Sequence, residues 1–162
     1  MGAPRDRRAV ITRRSARAVL IDDDRRLVLF KRTKPGEEPY WSTVGGGVDP
    51  ADASVEAALH RELAEELGAE AAAAVPAVFL HSFDNGKGGL TVQHYFAARL
   101  TSLDLSKRHG PEFEDPSRGA YDPVRVPLTG DCAELAALDL RPPPLKQFIL
   151  SNREALLGMV GL

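Results

Sequence analysis

The sequence predicts an α+β fold, an α/β/α sandwich with a mixed central sheet, and three observations support it. Strand-like segments lie before and after a central amphipathic helix that ends at Gly68. A second long helix follows a proline run near the end of the chain, and the strands between the two helices make a sheet that both can cover. The length of 162 residues, 43% hydrophobic and 27% charged, suits one globular domain with its own core. We expect that domain over residues 15–162, preceded by a basic arm over residues 1–14.

The arm and the residues just after it carry Arg5, Arg7, Arg8, Arg13, Arg14 and Arg17 among apolar residues and read as a partly disordered terminus with a strand starting near Val10, contact with a phosphate-bearing partner being the competing role. Residues 16–21 and 26–31 are apolar, β-branched runs around Asp22-Asp23-Asp24, a hairpin by composition. Three adjacent aspartates diverge, so we read a turn there and not a metal site. Residues 32–40 form a turn-rich loop, and residues 42–44 a short strand into Gly45-Gly46-Gly47. Tyr40 or Trp41 could stack on a nucleobase, and packing into the core is the competing role for Trp41.

Beyond the central helix, the Ala-rich residues 69–75 read as a connector. Residues 77–83 and 90–100 are strands joined by the glycine-rich turn at 84–89, with one buried and one wetter face expected along the second strand. His81 and His94 lie in no spacing that converges on a metal and read as ordinary strand residues. Residues 101–120 are a long polar loop with Glu112, Glu114 and Asp115, and residues 121–126 a late strand. Residues 131–138 form a short helix. After Pro142-Pro143, Pro144 opens a final helix through Leu157, with Leu145, Phe148, Ile149 and Leu156 on its buried side.

The central stretch from Gly45 to Gly68 organises the rest. It reads as a glycine loop feeding a helix capped by Asp52 or Ser54 and ended by Gly68. Leu59, Leu63 and Leu67 give one apolar stripe, and Glu62, Glu65 and Glu66 share a neighbouring face. That acidic face opposes helix energetics. A like-charge pair four residues apart costs roughly 0.2–0.5 kcal/mol, and acids in the last turns face the negative end of the helix dipole. Such clusters are often just a solvated face. Here the preceding glycines expose bare backbone, and Arg61 stands ready to pair a carboxylate, so a divalent cation, Mg²⁺ or Mn²⁺, is the counter-charge we expect.

These residues resemble the signature box of the Nudix hydrolases. Arg61-Glu62-Leu63-Ala64-Glu65-Glu66-Leu67-Gly68-Ala69 fits the second half of that box at each fixed position. The first half departs from it: strict spacing puts Gly47 and Ala53 at the box Gly and first Glu, whereas one inserted residue puts Gly46 and Asp52 there, the alignment we prefer. The resemblance implies a hydrolase that cleaves a diphosphate linkage in a nucleoside diphosphate derivative. Glu62, Glu65, Glu66 and the Gly46 carbonyl would be its metal ligands, with Arg61 orienting the glutamates. A helix Glu or a loop acid, Glu112 before Glu114, would be the general base. It also allows a homodimer and a catalytically silent, nucleotide-binding alternative. Prenyl-diphosphate isomerisation on this scaffold uses a Cys ahead of the box, and none lies there. A net charge of −2 and a pI near 6.1 argue against a stable nucleic-acid or membrane partner. The single Cys132 and the lack of a long apolar run point to a cytoplasmic setting.

Overall fold

The computed structural model describes residues 10–83 and 89–162. Seven strands make one sheet: β1 (Val10–Ile21), β2 (Arg26–Thr33), β3 (Tyr40–Ser42), β4 (Val44–Gly47), β5 (Ala69–Phe83), β6 (Gly89–Leu103) and β7 (Ala120–Pro127). Their order is β3-β2-β1-β6-β5, with β4 also on β1 and β7 also on β2. β1 and β6 pair in parallel from Val10↔Gly89 to Ile21↔Arg99, and the other pairs are antiparallel. A parallel pair needs a long crossover, and helix α1 (Val55–Leu67) lies within it. Helices α2 (Ala133–Ala137) and α3 (Pro143–Met159) complete the structure.

The core divides into two clusters, one on each sheet face. Ala16, Ala18 and Leu20 of β1 join Leu59, Leu63 and Leu67 of α1. Val19 and Ile21, pointing the other way, join Leu135 of α2 and Leu145, Ile149, Leu156 and Leu157 of α3. The predicted α/β/α sandwich is therefore the observed one. A strand covered on both faces reads as an unbroken apolar run, and β1 does so over Ala18 to Ile21. β6 is covered in the same way, since Phe96 belongs to one cluster and Tyr95 to the other. The wetter face expected there is thus absent along its middle.

Several boundaries differ from the sequence reading. Residues 69–75 are strand, not connector. They pair with β6 at the sheet edge, through register shifts at Glu70/Ala71, Ala72/Val75 and Pro76/Val78, and an edge position tolerates Pro76. The glycine run is also strand: Ser15↔Gly47, Ala16↔Gly46 and Arg17↔Gly45 pair β4 to β1. Residues 101–103 extend β6, and the rest of the expected loop contains three short 3-10 turns, Leu105–Lys107, Pro111–Phe113 and Pro116–Arg118. The hairpin turn at 84–88 and the first nine residues of the arm lie outside the described residues, and residues 10–14 form the outer end of β1. Among the described residues no helix is long and apolar enough to cross a membrane.

The aspartate turn is structural. Asp22 is buried and accepts from the Arg26 amide (2.9 Å), Arg26 Nε (2.9 Å) and Arg125 Nη1 (2.8 Å). Burial alone would raise its pKa, but the Arg26 amide and the two guanidinium groups outweigh burial and hold it below its ordinary value. A depressed carboxylate contributes stability above its unfolded pKa and loses it as pH falls through the folded value. Asp22→Asn is therefore expected to destabilise the protein by about 2 kcal/mol at pH 7, since its half-exposed arginine partners temper the effect. The wild-type advantage should fade below about pH 4, where aspartates protonate. Urea melts of both proteins at pH 7 and pH 3 check this.

Candidate functional site

Helix α1 begins where local chemistry dictates. Ser54, in extended geometry at φ −160°, accepts from the Ala57 amide at 3.0 Å, and Gly68 closes the helix in the left-handed conformation at φ 57°. Of the two caps the sequence allowed, Ser54 is used. The leucine stripe faces the sheet, and Glu62 and Glu66, each only 8% exposed, lie beside it against β4. The Gly45 amide donates to Glu66 Oε2 at 2.9 Å. A Cβ on Gly46 would stand 2.7 Å from Glu62 Oε1, and one on Gly45, at φ +145°, only 2.2 Å from the Ala16 carbonyl oxygen. The glycines are therefore required where the helix acids press on the strand.

Arg61 ties the acids together. Its Nε and Nη2 grip the two oxygens of Asp52, each at 2.9 Å. Nη2 also donates to the Gly47 carbonyl at 3.0 Å, and Nη1 to Glu62 Oε1 at 3.1 Å and Glu65 Oε2 at 3.3 Å. The Asp52 hydrogen bonds, joined by the charges of the two glutamates, raise the Arg61 pKa. Of the two residues the alternative alignments name, Asp52 thus pairs with Arg61 and Ala53 is exposed.

Glu62, Glu66, Glu112 and Gly46 line a single cavity of about 560 Å³. Glu65 does not line it; its side chain is 24% exposed and held by Arg61. Burial pushes the Glu66 carboxyl up to about 8, the Gly45 amide opposes this, and the charges of Glu62 and Glu112 add to it. Burial likewise raises Glu62 against the pull of Arg61. Glu112 sits in the Pro111–Phe113 turn after Gly110, where a Cβ would lie 2.8 Å from Glu112 Oε1. That oxygen is buried without a hydrogen-bond partner among the described residues. Glu114 is exposed and does not reach the cavity.

This donor set fits a hard divalent cation. An orphaned Glu112 oxygen and a Glu66 carboxyl whose pKa is raised by burial and by its like-charged neighbours are both acceptors without a cation in contact among the described residues. Among the described residues no three His, Cys, Asp or Glu side chains form a ready-made cage. A cation here would therefore keep water and backbone oxygen among its ligands, as Mg²⁺ commonly does.

Of the two aromatics considered for stacking, Tyr40 lines the cavity, whereas Trp41 packs against the core on the α3 side. His94 contacts Arg14 Nη1 at 2.9 Å, and burial followed by the Arg14 charge lowers its pKa. Sequence reasoning missed Arg32, Arg118 and Arg141 of the cavity, and it grouped Arg13 and Arg17, which also line it, with a basic terminus for which contact with a phosphate-bearing partner was the less favoured role. Arg17 carried a further signal, as a lone charge inside an apolar strand run.

The fold is a three-layer mixed-sheet sandwich in which helix carboxylates press against a glycine strand. The family model of the NUDIX domain matches residues 11–126, and the chain belongs to that family. A NUDIX hydrolase from Nitrosomonas europaea superposes with a TM-score of 0.67 at 19% identity, covering 88% of this chain and 89% of that one. The MutT NUDIX hydrolase of Burkholderia pseudomallei is 26% identical, with a TM-score of 0.51 over 72% of this chain and 83% of its own. The NUDIX domain of Shewanella oneidensis NrtR, complexed with ADP ribose, gives a TM-score of 0.56 at 17% identity, covering 95% of this chain and 94% of that one.

The packing at β4 sets apart two glycines. Gly45→Ala should destabilise the fold by more than about 3 kcal/mol, because a backbone clash and a forbidden φ coincide. Gly46→Ala meets only a side chain and should fold with a loss of about 1–2 kcal/mol while displacing Glu62. Thermal melts of the two variants, with a crystal structure of the second, check the contrast.

Proposed function

We propose that this chain hydrolyses the diphosphate linkage of a nucleoside diphosphate derivative with Mg²⁺ or Mn²⁺. The single observation that carries the reading is the gathering of Glu62, Glu66 and Glu112 on one cavity beside the glycine strand. The NUDIX domain of similar fold that holds ADP ribose supports a nucleotide-derived substrate. Glu62, Glu66 and the Gly46 carbonyl would hold the cation, and Glu65 would join them by releasing its 3.3 Å contact with Arg61. When bound, the cation neutralises the diphosphate charge and lowers the pKa of coordinated water.

The chain's own residues do the rest. Glu112, which lines the cavity, takes the proton of the attacking water as the water oxygen bonds to phosphorus. The bridging P–O bond breaks, and the leaving phosphate carries away its electron pair. Arg61 touches none of the reacting atoms. Its grip on Asp52, Glu62 and the Gly47 carbonyl fixes the angle between helix and glycine strand.

A Mg²⁺-dependent screen of nucleoside diphosphate derivatives, with products resolved, tests the reading. Chelation should abolish turnover, and Mg²⁺ or Mn²⁺ should restore it. Glu66→Gln and Glu62→Gln should lower kcat/KM by at least about 10³-fold, and Glu112→Gln by about 10²–10⁴-fold, chiefly in kcat. Equal turnover by wild type and Glu66→Gln would remove the mechanism. Ligand binding without turnover on any compound would make this a binding domain.

A further inference from the structure

The same cavity holds five arginines beside the three glutamates assigned to the cation and its water, Glu62, Glu66 and Glu112. The chain as a whole has a net charge of −2, yet Arg13, Arg17, Arg32, Arg118 and Arg141 all line this one cavity. Arg118 and Arg141 have carboxylate partners, Asp115 at 3.6 Å and Asp139 at 3.0 Å. Among the described residues Arg13, Arg17 and Arg32 pair with no carboxylate.

Arg17 is the one of these three with a buried donor left over among the described residues. Nη1 donates to the Thr43 carbonyl at 3.2 Å, while its Nε and the Thr43 hydroxyl are both buried without partners among the described residues. Burying such donors is costly, and an acceptor that draws the guanidinium round would relieve the cost. The aromatic walls are already covered by cations. The Arg32 guanidinium lies 3.5 Å from the Tyr121 ring centre, held there by the carbonyls of Arg118 and Ala120, and that of Arg141 lies 4.3 Å from Tyr40. A group entering past these rings meets guanidinium planes before it meets a bare aromatic face, and such planes suit phosphate oxygens.

We infer that this arginine wall binds an anionic group of the substrate beyond the scissile diphosphate, so that the substrate is a polyphosphate ester. The extra charge is either a third phosphoryl group in the chain or a separate phosphate monoester. The inference rests on the hydrolase reading of the cavity, but its decisive measurement does not.

Calorimetric titration of the chelator-treated protein with inorganic tripolyphosphate, pyrophosphate and phosphate reads the wall without metal. Tripolyphosphate should bind at least about tenfold more tightly than pyrophosphate, and Arg17→Gln or Arg141→Gln should erase most of that margin. Arg118→Gln, at an exposed rim position, serves as a second variant should Arg17→Gln melt early. Glu66→Gln should keep tripolyphosphate binding while losing turnover. With Mg²⁺, comparing ATP and ADP-ribose 2′-phosphate with ADP-ribose tells which form carries the extra charge, and the favoured one should show a KM lower by about tenfold. Equal affinity for the three inorganic anions, or a preference indifferent to the arginines, would overturn the inference. Arginine-dependent binding without hydrolysis would overturn only the hydrolase reading.

Discussion

The hydrogen bond from the Gly45 amide to the buried carboxyl of Glu66 is the contact on which the site depends. It joins two features that are unfavourable alone. An acid in the last turns of a helix faces the negative end of the dipole and pays for its desolvation, and a glycine strand is entropically expensive and has no side chains to pack. Together each removes part of the other's cost. The glycines leave room for the carboxylates of Glu62 and Glu66, and the strand supplies an amide donor. β4 can be made of glycine only because β1 holds it by backbone pairing from Ser15↔Gly47 to Ala18↔Val44.

Arg61 extends that junction outward. Its five-donor fork reaches Asp52 in the turn before α1, the Gly47 carbonyl at the end of β4, and Glu62 and Glu65 on its own helix. The acidic face is therefore less uncompensated than its spacing suggests, because a cation N-terminal to Glu65 bonds along the helix as well as across to the turn. What Arg61 leaves unmet is the inner pair: among the described residues Glu66 has only the glycine amide, and Glu112 Oε1 has no partner. Those two acids face the cavity, whereas the satisfied Glu65 and Asp52 do not line it.

The parts of this arrangement that were legible in the sequence are those set by short-range chemistry. Ser54 and Gly68 bound α1 because capping is decided within a turn, and the leucine and glutamate stripes follow from the helical period. The sandwich was legible because β1 and α3 carry patterns that only burial against a sheet or a helix layer explains. What escaped was set by partners distant in sequence. Glycine has poor strand propensity, so only pairing with β1 makes Gly45 to Gly47 a strand, and alanine is little better over residues 69–75, where pairing with β6 decides. The arginine wall draws on β1, β2, a 3-10 turn and the segment before α3, places that no spacing rule connects.

The loop carrying Glu112 shows how helix termination and chemistry are joined. The last carbonyls of any helix lack intrahelical donors. Here the Gly68 carbonyl accepts from the Asp104 amide at 3.0 Å, and that of Glu65 from the His109 amide at 2.9 Å. Both bonds bring positive amide dipoles to the helix end that bears Glu62, Glu65 and Glu66, so they ease the unfavourable field those acids meet. They also tie down the segment in which Glu112 follows Gly110, while Phe113 packs edge-on to Tyr121, with ring centres 5.7 Å apart, to hold its other side. Closing α1 therefore brings a further carboxylate to the helix acids. A rigid chain would satisfy the same carbonyls just as well, but only a turn with Gly110 at φ 126° leaves space for the Glu112 side chain to fold back over it.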